Sequence, residues 1–341
     1  MEDNHLKSFE VSGFKKFTDL KIHNLGQFNL IIGDNNVGKT SLLEALCVSR
    51  PLRIFYQSLG SINYHVRRNQ DLKQSFLHQY FPFDFKNYPQ TISIKLLCYG
   101  DSGKDYIVKL SKINEFEILA FTIPLKDLDL LDPKEKGSAI EFNLNKHGFD
   151  LNIPYVPFGS LYQHELTEEY SKYIQLFVDK KENLIKALSN ILKNIRNIEV
   201  NASYSSSPIL LIAEKGKNAL LPLATYGDGT VKLFRILLSL FSTHHDYNRL
   251  MIDELDAGVH HSHLKDFTKS LLLVAKDEKK QIFATTHSKE CIENFITALE
   301  ETGMQSEGRI IHLAETKSGL MGYTMKFEEF ENAILAESEI R

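Results

Sequence analysis

Tryptophan is absent from the 341 residues, cysteine occurs only 3 times, and the 40 basic and 44 acidic side chains nearly cancel, leaving a net charge of −4. The missing tryptophan excludes nothing. The cysteines (Cys47, Cys98 and Cys291) are too few and too scattered for a disulfide scaffold or a thiolate metal site. They read as reduced thiols of a cytoplasmic protein. A near-neutral chain has no global cationic field, so nucleic acid could be held only by a local patch. Long apolar runs are also lacking. The most apolar stretch, Leu233–Phe241, is interrupted by Arg235 and is far too short to span a bilayer. The start, MEDNHLKSFE, lacks the basic-then-apolar order of a secretory signal. With 43% apolar and 25% charged residues the composition is that of an ordinary folded chain, which sets aside disordered and fibrous classes.

The length suits two domains, or one large α/β domain with insertions. Residues 6–29 read as two or three short strands, and Phe28–Ile32 is nearly continuous apolar, as in a strand buried on both faces. Residues 51–90 form a helical-looking run with Arg67 and Arg68, ending in the aromatic loop Tyr80–Pro89. Residues 91–153 have strand composition, with turn signals at Gly100–Gly103 and Asp132–Gly137. A helical pattern from Glu165 to Glu199 predicts one or two helices. The last third alternates: a strand at Ile209–Glu214, a helix from Thr230, a strand at Leu250–Asp253, a helix at His263–Lys276, the strand Gln281–Thr285, a helix at Glu290–Glu300 and a terminal hairpin. Such alternation predicts a mainly parallel sheet with helices on its faces.

Four constellations carry chemistry. Gly33-Asp34-Asn35-Asn36-Val37-Gly38-Lys39-Thr40 fits G-x-x-x-x-G-K-[ST], with a strand before it and a helix after it. The glycines let the backbone turn so that its N–H groups face a phosphate, and the helix adds the positive end of its dipole. Lys39 supplies a cation to the β and γ phosphates, and Thr40 offers a hydroxyl to Mg²⁺. Next, the apolar strand before Asp253 and Glu254 ends in two carboxylates: Asp253 to hold Mg²⁺, Glu254 to polarise the attacking water as general base. Third, Gln281–Ser288 places Thr285, Thr286 and His287 at the carboxyl edge of the sheet, where His287 can hydrogen-bond the γ-phosphate or the water. Last, Gly227-Asp228-Gly229 opens a helix and makes a second anion-binding turn, which makes sense if it addresses the nucleotide of another subunit. The nearby His260, His261 and His263 lack a second ligand group and do not read as a metal site.

These residues, in this order, resemble the ABC-type ATPase group, and within it the OLD/RecF/SMC-like proteins and the stand-alone AAA-type ATP-binding proteins of prokaryotic anti-phage defence systems. The resemblance covers roughly residues 5–50 and 205–330. It implies an α/β P-loop NTPase fold: an ABC-type ATPase head with a mixed or parallel sheet, a β lobe and a helical insertion. The core would be 1–50 and 205–341, with 51–204 as the inserted lobe. It implies that Gly33, Asn35, Asn36, Gly38, Lys39, Thr40 and Ser41 form the nucleotide loop. Gly227, Asp228 and Gly229 would be a signature turn meeting ATP in trans. Asp253 and Glu254 would be the Walker B pair, Asp256 would belong to the loop after it, and His287 would be the switch residue. The chain departs from the pattern at Gly227, where relatives often have Ser, at Leu255, where Pro is usual, and at His261, where many have Pro.

The expectation is an ATPase that binds ATP with Mg²⁺, turns it over slowly, and forms a homodimer or higher even oligomer through its ATP sites. Only 341 − 287 = 54 residues follow His287, whereas a further nuclease domain would need roughly 100. A separate effector chain, a nuclease, is therefore expected as partner. Two alternatives stay open: a RecF-like repair ATPase that binds duplex DNA, and a non-hydrolysing nucleotide-gated scaffold. For DNA the available basic pairs are Arg67–Arg68, Lys180–Lys181 and Lys279–Lys280.

Overall fold

The computed structural model describes residues 5–47, 62, 90–98, 106–112, 117–124, 140–143, 154–158, 163–202, 208–242, 248–317 and 319–330. Along the chain, β1 (Leu6–Ser12) and β2 (Leu20–Ile22) precede β3 (Phe28–Gly33) and helix α1 (Lys39–Leu46). Strands β4 (Gln90–Cys98), β5 (Tyr106–Lys112), β6 (Glu117–Pro124), β7 (Ile140–Asn143) and the short β8 (Tyr155–Val156) follow. Helices α2 (Gln163–Tyr173) and α3 (Val178–Ser189) lead to β9 (Ile195–Asn201), β10 (Ile209–Glu214) and β11 (Leu220–Pro222). The last third runs α4 (Asp228–Phe241), β12 (Arg249–Ile252), α5 (His261–Asp277), β13 (Gln281–Thr285), α6 (Lys289–Thr302), β14 (Gly308–Thr316) and β15 (Gly319–Lys326).

Three sheets result. The central one has the order β15-β14-β3-β13-β12-β8; it is parallel from β14 to β8, with β15 antiparallel at its edge. An antiparallel sheet, β2-β1-β4-β5-β6-β7, and a three-stranded one, β11-β10-β9, flank it. The segment 51–204 thus contributes β8 to the central sheet and β4 as the antiparallel partner of β1.

The period-2 alternation of the central strands sorts their side chains between two cores. Phe28, Leu30 and Ile32 of β3, Leu250 and Ile252 of β12, and Ile282 and Ala284 of β13 face the core made with α2 to α6. Ile31, Met251 and Phe283 face the other, which contains α1 (Leu42, Leu43, Ala45, Leu46) and β1. Apolar residues on both faces explain why these strands read as continuous apolar runs. The two layers are also tied by a buried amide. Gln281 Oε1 accepts from the backbone N–H of Leu6 (2.8 Å), and its Nε2 donates to the carbonyls of Leu6 (2.9 Å) and Gly26 (2.7 Å). All of its main hydrogen-bonding capacity is used, as a buried amide requires.

The helical pattern expected up to Glu199 stops at Ser189 instead, and Ile195–Asn201 is strand. Ile195, Ile198 and Val200 are β-branched, and β9 pairs with β10, so the tertiary context overrides a marginal helical period. Helices α4 and α5 begin two residues earlier than expected, at Asp228 and His261. Apart from residues 62 and 90, the expected helical run and aromatic loop of residues 51–90, Arg67 and Arg68 included, lie outside the described residues, as do the turns at 100–103 and 132–137. Among the described residues no helix is long and apolar enough to cross a membrane.

Candidate functional site

The loop between β3 and α1 is shaped by backbone that only glycine tolerates. Gly33 has φ +140°, and a Cβ there would lie 2.3 Å from the carbonyl oxygen of Leu313. Gly38 has φ +106° and sits against the ring of Phe17. Lys16, from the β1–β2 connection, donates to the carbonyl of Asn36, and Lys15 pairs with the buried Glu44 of α1. The loop is therefore braced from outside, while Asp34, Asn35 and Asn36 stay exposed. No side chain caps the N-terminus of α1, which leaves its first N–H groups available to an anion.

Lys39 is buried, and its Nζ donates to the carbonyls of Gly33 (2.6 Å) and Asp34 (2.9 Å) and to Nδ1 of His287 (3.3 Å). Burial holds this ammonium below the usual lysine range, against the opposing charges of Glu254, Asp34 and Asp253. His287 and Lys39 are thus in direct contact, although they are 248 residues apart in the chain.

Asp253 follows β12 and is also buried. Its carboxylate accepts from Thr40 Oγ1 (3.2 Å to each oxygen), Thr285 Oγ1 (2.8 Å) and Tyr155 OH (3.2 Å). Glu254 has a left-handed backbone, φ 49°, which costs a non-glycine residue about 1–3 kcal/mol unless its surroundings hold it. Here they do: its N–H donates to Thr285 Oγ1 (2.8 Å) and its carbonyl accepts from Lys232. Thr286 Oγ1 donates to Asp256 (2.6 Å), fixing the loop that follows. Leu255, in place of the usual Pro, gives its N–H to Thr285 O (2.8 Å), a bond proline cannot make.

The Gly227–Gly229 turn lies on the far side of that loop. Gly227 and Asp228 are exposed. Gly227 has φ +84°, a conformation that favours glycine, although a Cβ on it would meet nothing within 4 Å. Gly229 instead packs on the backbone of Gly258. His261 is the first residue of α5, a position that also suits proline, and His260 caps that helix through the N–H of Ser262. Among the described residues no group of three His, Cys, Asp or Glu side chains is arranged to hold a metal ion.

Of the expected residues, Lys39, Thr40, Asp253, Glu254 and His287 therefore come together at the carboxyl edges of β3, β12 and β13, whereas Gly227 and Asp228 stand apart and exposed. Two participants were not expected. Tyr155 reaches Asp253 from β8. Lys232 is buried, donates to the carbonyls of Asp253 (3.1 Å) and Glu254, and is pushed down to about 8 by burial, with Asp256, Asp253, Glu254 and Cys291 pulling the other way. A lysine inside an apolar helical run was the available signal for it.

A family profile described as "AAA domain, putative AbiEii toxin, Type IV TA system" matches residues 28–293, well over half of the chain. The chain belongs to this AAA domain family. It is 23% identical over 369 aligned residues to an ATP/GTP phosphatase of Helicobacter pylori, covering 96% of this chain and 97% of that protein. Among solved structures it is similar to an SMC head bound to the C-terminal winged-helix domain of ScpA (TM-score 0.59, 13% identity, 96% of this chain and 99% of the other). It is also similar to the SMC head domain of Thermotoga maritima (TM-score 0.51, 13% identity, 94% and 99%). The fold is that of an SMC-head-like P-loop ATPase.

Proposed function

We propose that this AAA-family chain hydrolyses ATP with Mg²⁺, and that two copies share each nucleotide, so that occupancy sets the geometry of the assembly. The observation that carries the reading is the convergence of Lys39, Thr40, Asp253, Glu254 and His287 at one sheet edge. Lys39 is a buried cation met only by carbonyl dipoles and an imidazole among its bonded partners, which suits it to phosphate oxygens. Thr40 and Asp253 offer one hydroxyl and one carboxylate side by side. That small oxygen set fits an ion that keeps several waters and takes its other ligands from phosphates. When bound, Mg²⁺ neutralises charge on the β and γ phosphates.

Within this reading Asn35, Asn36, Gly38 and Ser41 line the phosphate loop with Gly33. Glu254 orients and deprotonates the attacking water. His287, exposed and bonded to Lys39, senses the γ-phosphate position. The exposed Gly227–Asp228 turn with α4 behind it is the surface offered to the nucleotide of a second copy, and Asp256 belongs to the loop that would lie beside it. Similarity to an ATP/GTP phosphatase along nearly its whole length supports turnover. An SMC head that binds ScpA, and a family described by a toxin–antitoxin system, support a separately encoded partner in a defence setting. That partner is proposed to be the effector, a nuclease, with this chain as slow sensor.

Glu254→Gln tests the base and the dimer together. It should retain ATP affinity, lose turnover by about 10²-fold or more, and accumulate as an ATP-bound dimer in sedimentation velocity. Wild-type turnover in that variant would remove Glu254 as the base.

A further inference from the structure

The first turn and a half of helix α4 touches both ends of the loop after β12. At the far end, Gly229 meets Gly258: a Cβ on Gly229 would lie 2.0 Å from the Gly258 carbonyl oxygen and 3.2 Å from Val259 Cα. At the near end, one turn further along the helix, Lys232 donates to the carbonyls of Asp253 and Glu254. The chain leaves the sheet at this point, and Lys232 brings the Asp253 carbonyl a donor from outside the loop and the Glu254 carbonyl a second donor beside Ala257 N–H. Between the two anchors the loop is tight. Ala257 N–H donates to Glu254 O (3.0 Å) and Val259 N–H to Asp256 O (3.0 Å). The other buried charge of the helix, Arg235, serves a different purpose, pairing with Glu169 of α2.

We propose that Lys232 is a positioning residue. It fixes the left-handed backbone of Glu254 from the carbonyl side, as Thr285 does from the amide side, and so sets the direction in which the Glu254 carboxylate leaves the strand. Because Lys232 stands on the helix that the Gly227–Asp228 turn opens, it ties that direction to the surface a second copy would engage. The proposal rests on Glu254 being the base.

The test uses the full chain with Lys232→Met, Lys232→Arg and Glu254→Gln, measuring affinity for a fluorescent ATP analogue, melting temperature, and steady-state kcat and KM well below melting. Lys232→Met should keep nucleotide affinity within about twofold while kcat falls about 10- to 100-fold, the effect of misplacing a catalytic group by about 1 Å. Lys232→Arg, still a donor, should recover part of that loss. A purely structural lysine would lower the melting temperature and leave kcat per folded molecule unchanged, and that result overturns the proposal. If Lys232→Met does not fold, Lys232→Gln takes its place with the same split required, and unchanged kcat in every folded variant overturns the proposal equally. Full turnover in Glu254→Gln overturns the base reading and the proposal with it. Full turnover in Lys232→Met beside an inactive Glu254→Gln overturns the proposal alone.

Discussion

Replacing Gly229 by alanine adds one methyl at the point where α4 meets the loop after β12. Gly229 lies in the helix without a positive φ, so backbone preference does not oppose the change. Alanine is about 1 kcal/mol better than glycine in a helix. The obstacle is steric. The new carbon would start 2.0 Å from the Gly258 carbonyl oxygen and 2.8 Å from its carbon, both backbone atoms. Normal contact requires the loop to retreat by about 1 Å or more. Overpacking of this kind costs about 1–3 kcal/mol, so after the helical gain the net loss of stability is only about 0–2 kcal/mol. Catalysis is hit harder, because the tight 254–259 loop passes the shift to Glu254, where about 1 Å is worth about 100-fold. Gly229→Ala should therefore keep its fold and its ATP affinity while kcat drops about 10- to 100-fold. Malachite-green phosphate release alongside a urea melt would measure both. If kcat stays above half of wild type in the folded variant, the coupling between α4 and the loop after β12 is refuted. Gly229 is for the same reason a poor probe of contacts between subunits, since any side chain there first disturbs its own chain.

Asp228 is the better probe of that contact, being exposed at the tip of the turn. Asp228→Arg should lower the melting temperature by only a few degrees, since it puts a cation in the first turn of α4, while lowering turnover about tenfold and dissolving the ATP-bound Glu254→Gln dimer in sedimentation; an intact dimer would contradict the shared-nucleotide geometry. Lys39→Ala should abolish ATP binding in isothermal calorimetry while the circular dichroism spectrum stays native. Gln281→Ala takes a buried partner from the amide and carbonyl of Leu6 and leaves the Gly26 carbonyl to Asn29 Nδ2. It should cost about 3 kcal/mol or more, read as a lower urea midpoint by circular dichroism, since the chain has no tryptophan to report.

The phosphate loop was legible because its chemistry is local: one strand, two glycines at positive φ and one lysine within eight residues. Asp253, Glu254 and His287 were legible as residues, but what joins them was not. Tyr155 contacts Asp253 across 98 positions, and it comes from a two-residue strand that no periodicity can reveal. Lys232 stands in the sequence just before the apolar run Leu233–Phe241, and only the fold shows that it donates to two main-chain carbonyls. The helix misread beyond Ser189 fails for a related reason. A short amphipathic segment such as Ile195–Asn201 takes its state from the strand it pairs with, here β10. The alternating last third was read nearly element for element because β12 and β13 are buried runs and α5 and α6 each bury one apolar face.

The most direct test of nucleotide sharing is specific ATPase activity measured over a thousandfold dilution of the purified chain at saturating ATP. The account predicts that turnover per protomer falls at low concentration in step with loss of dimer, and returns when protein is concentrated. Constant turnover per protomer down to concentrations where sedimentation shows only monomer would contradict it.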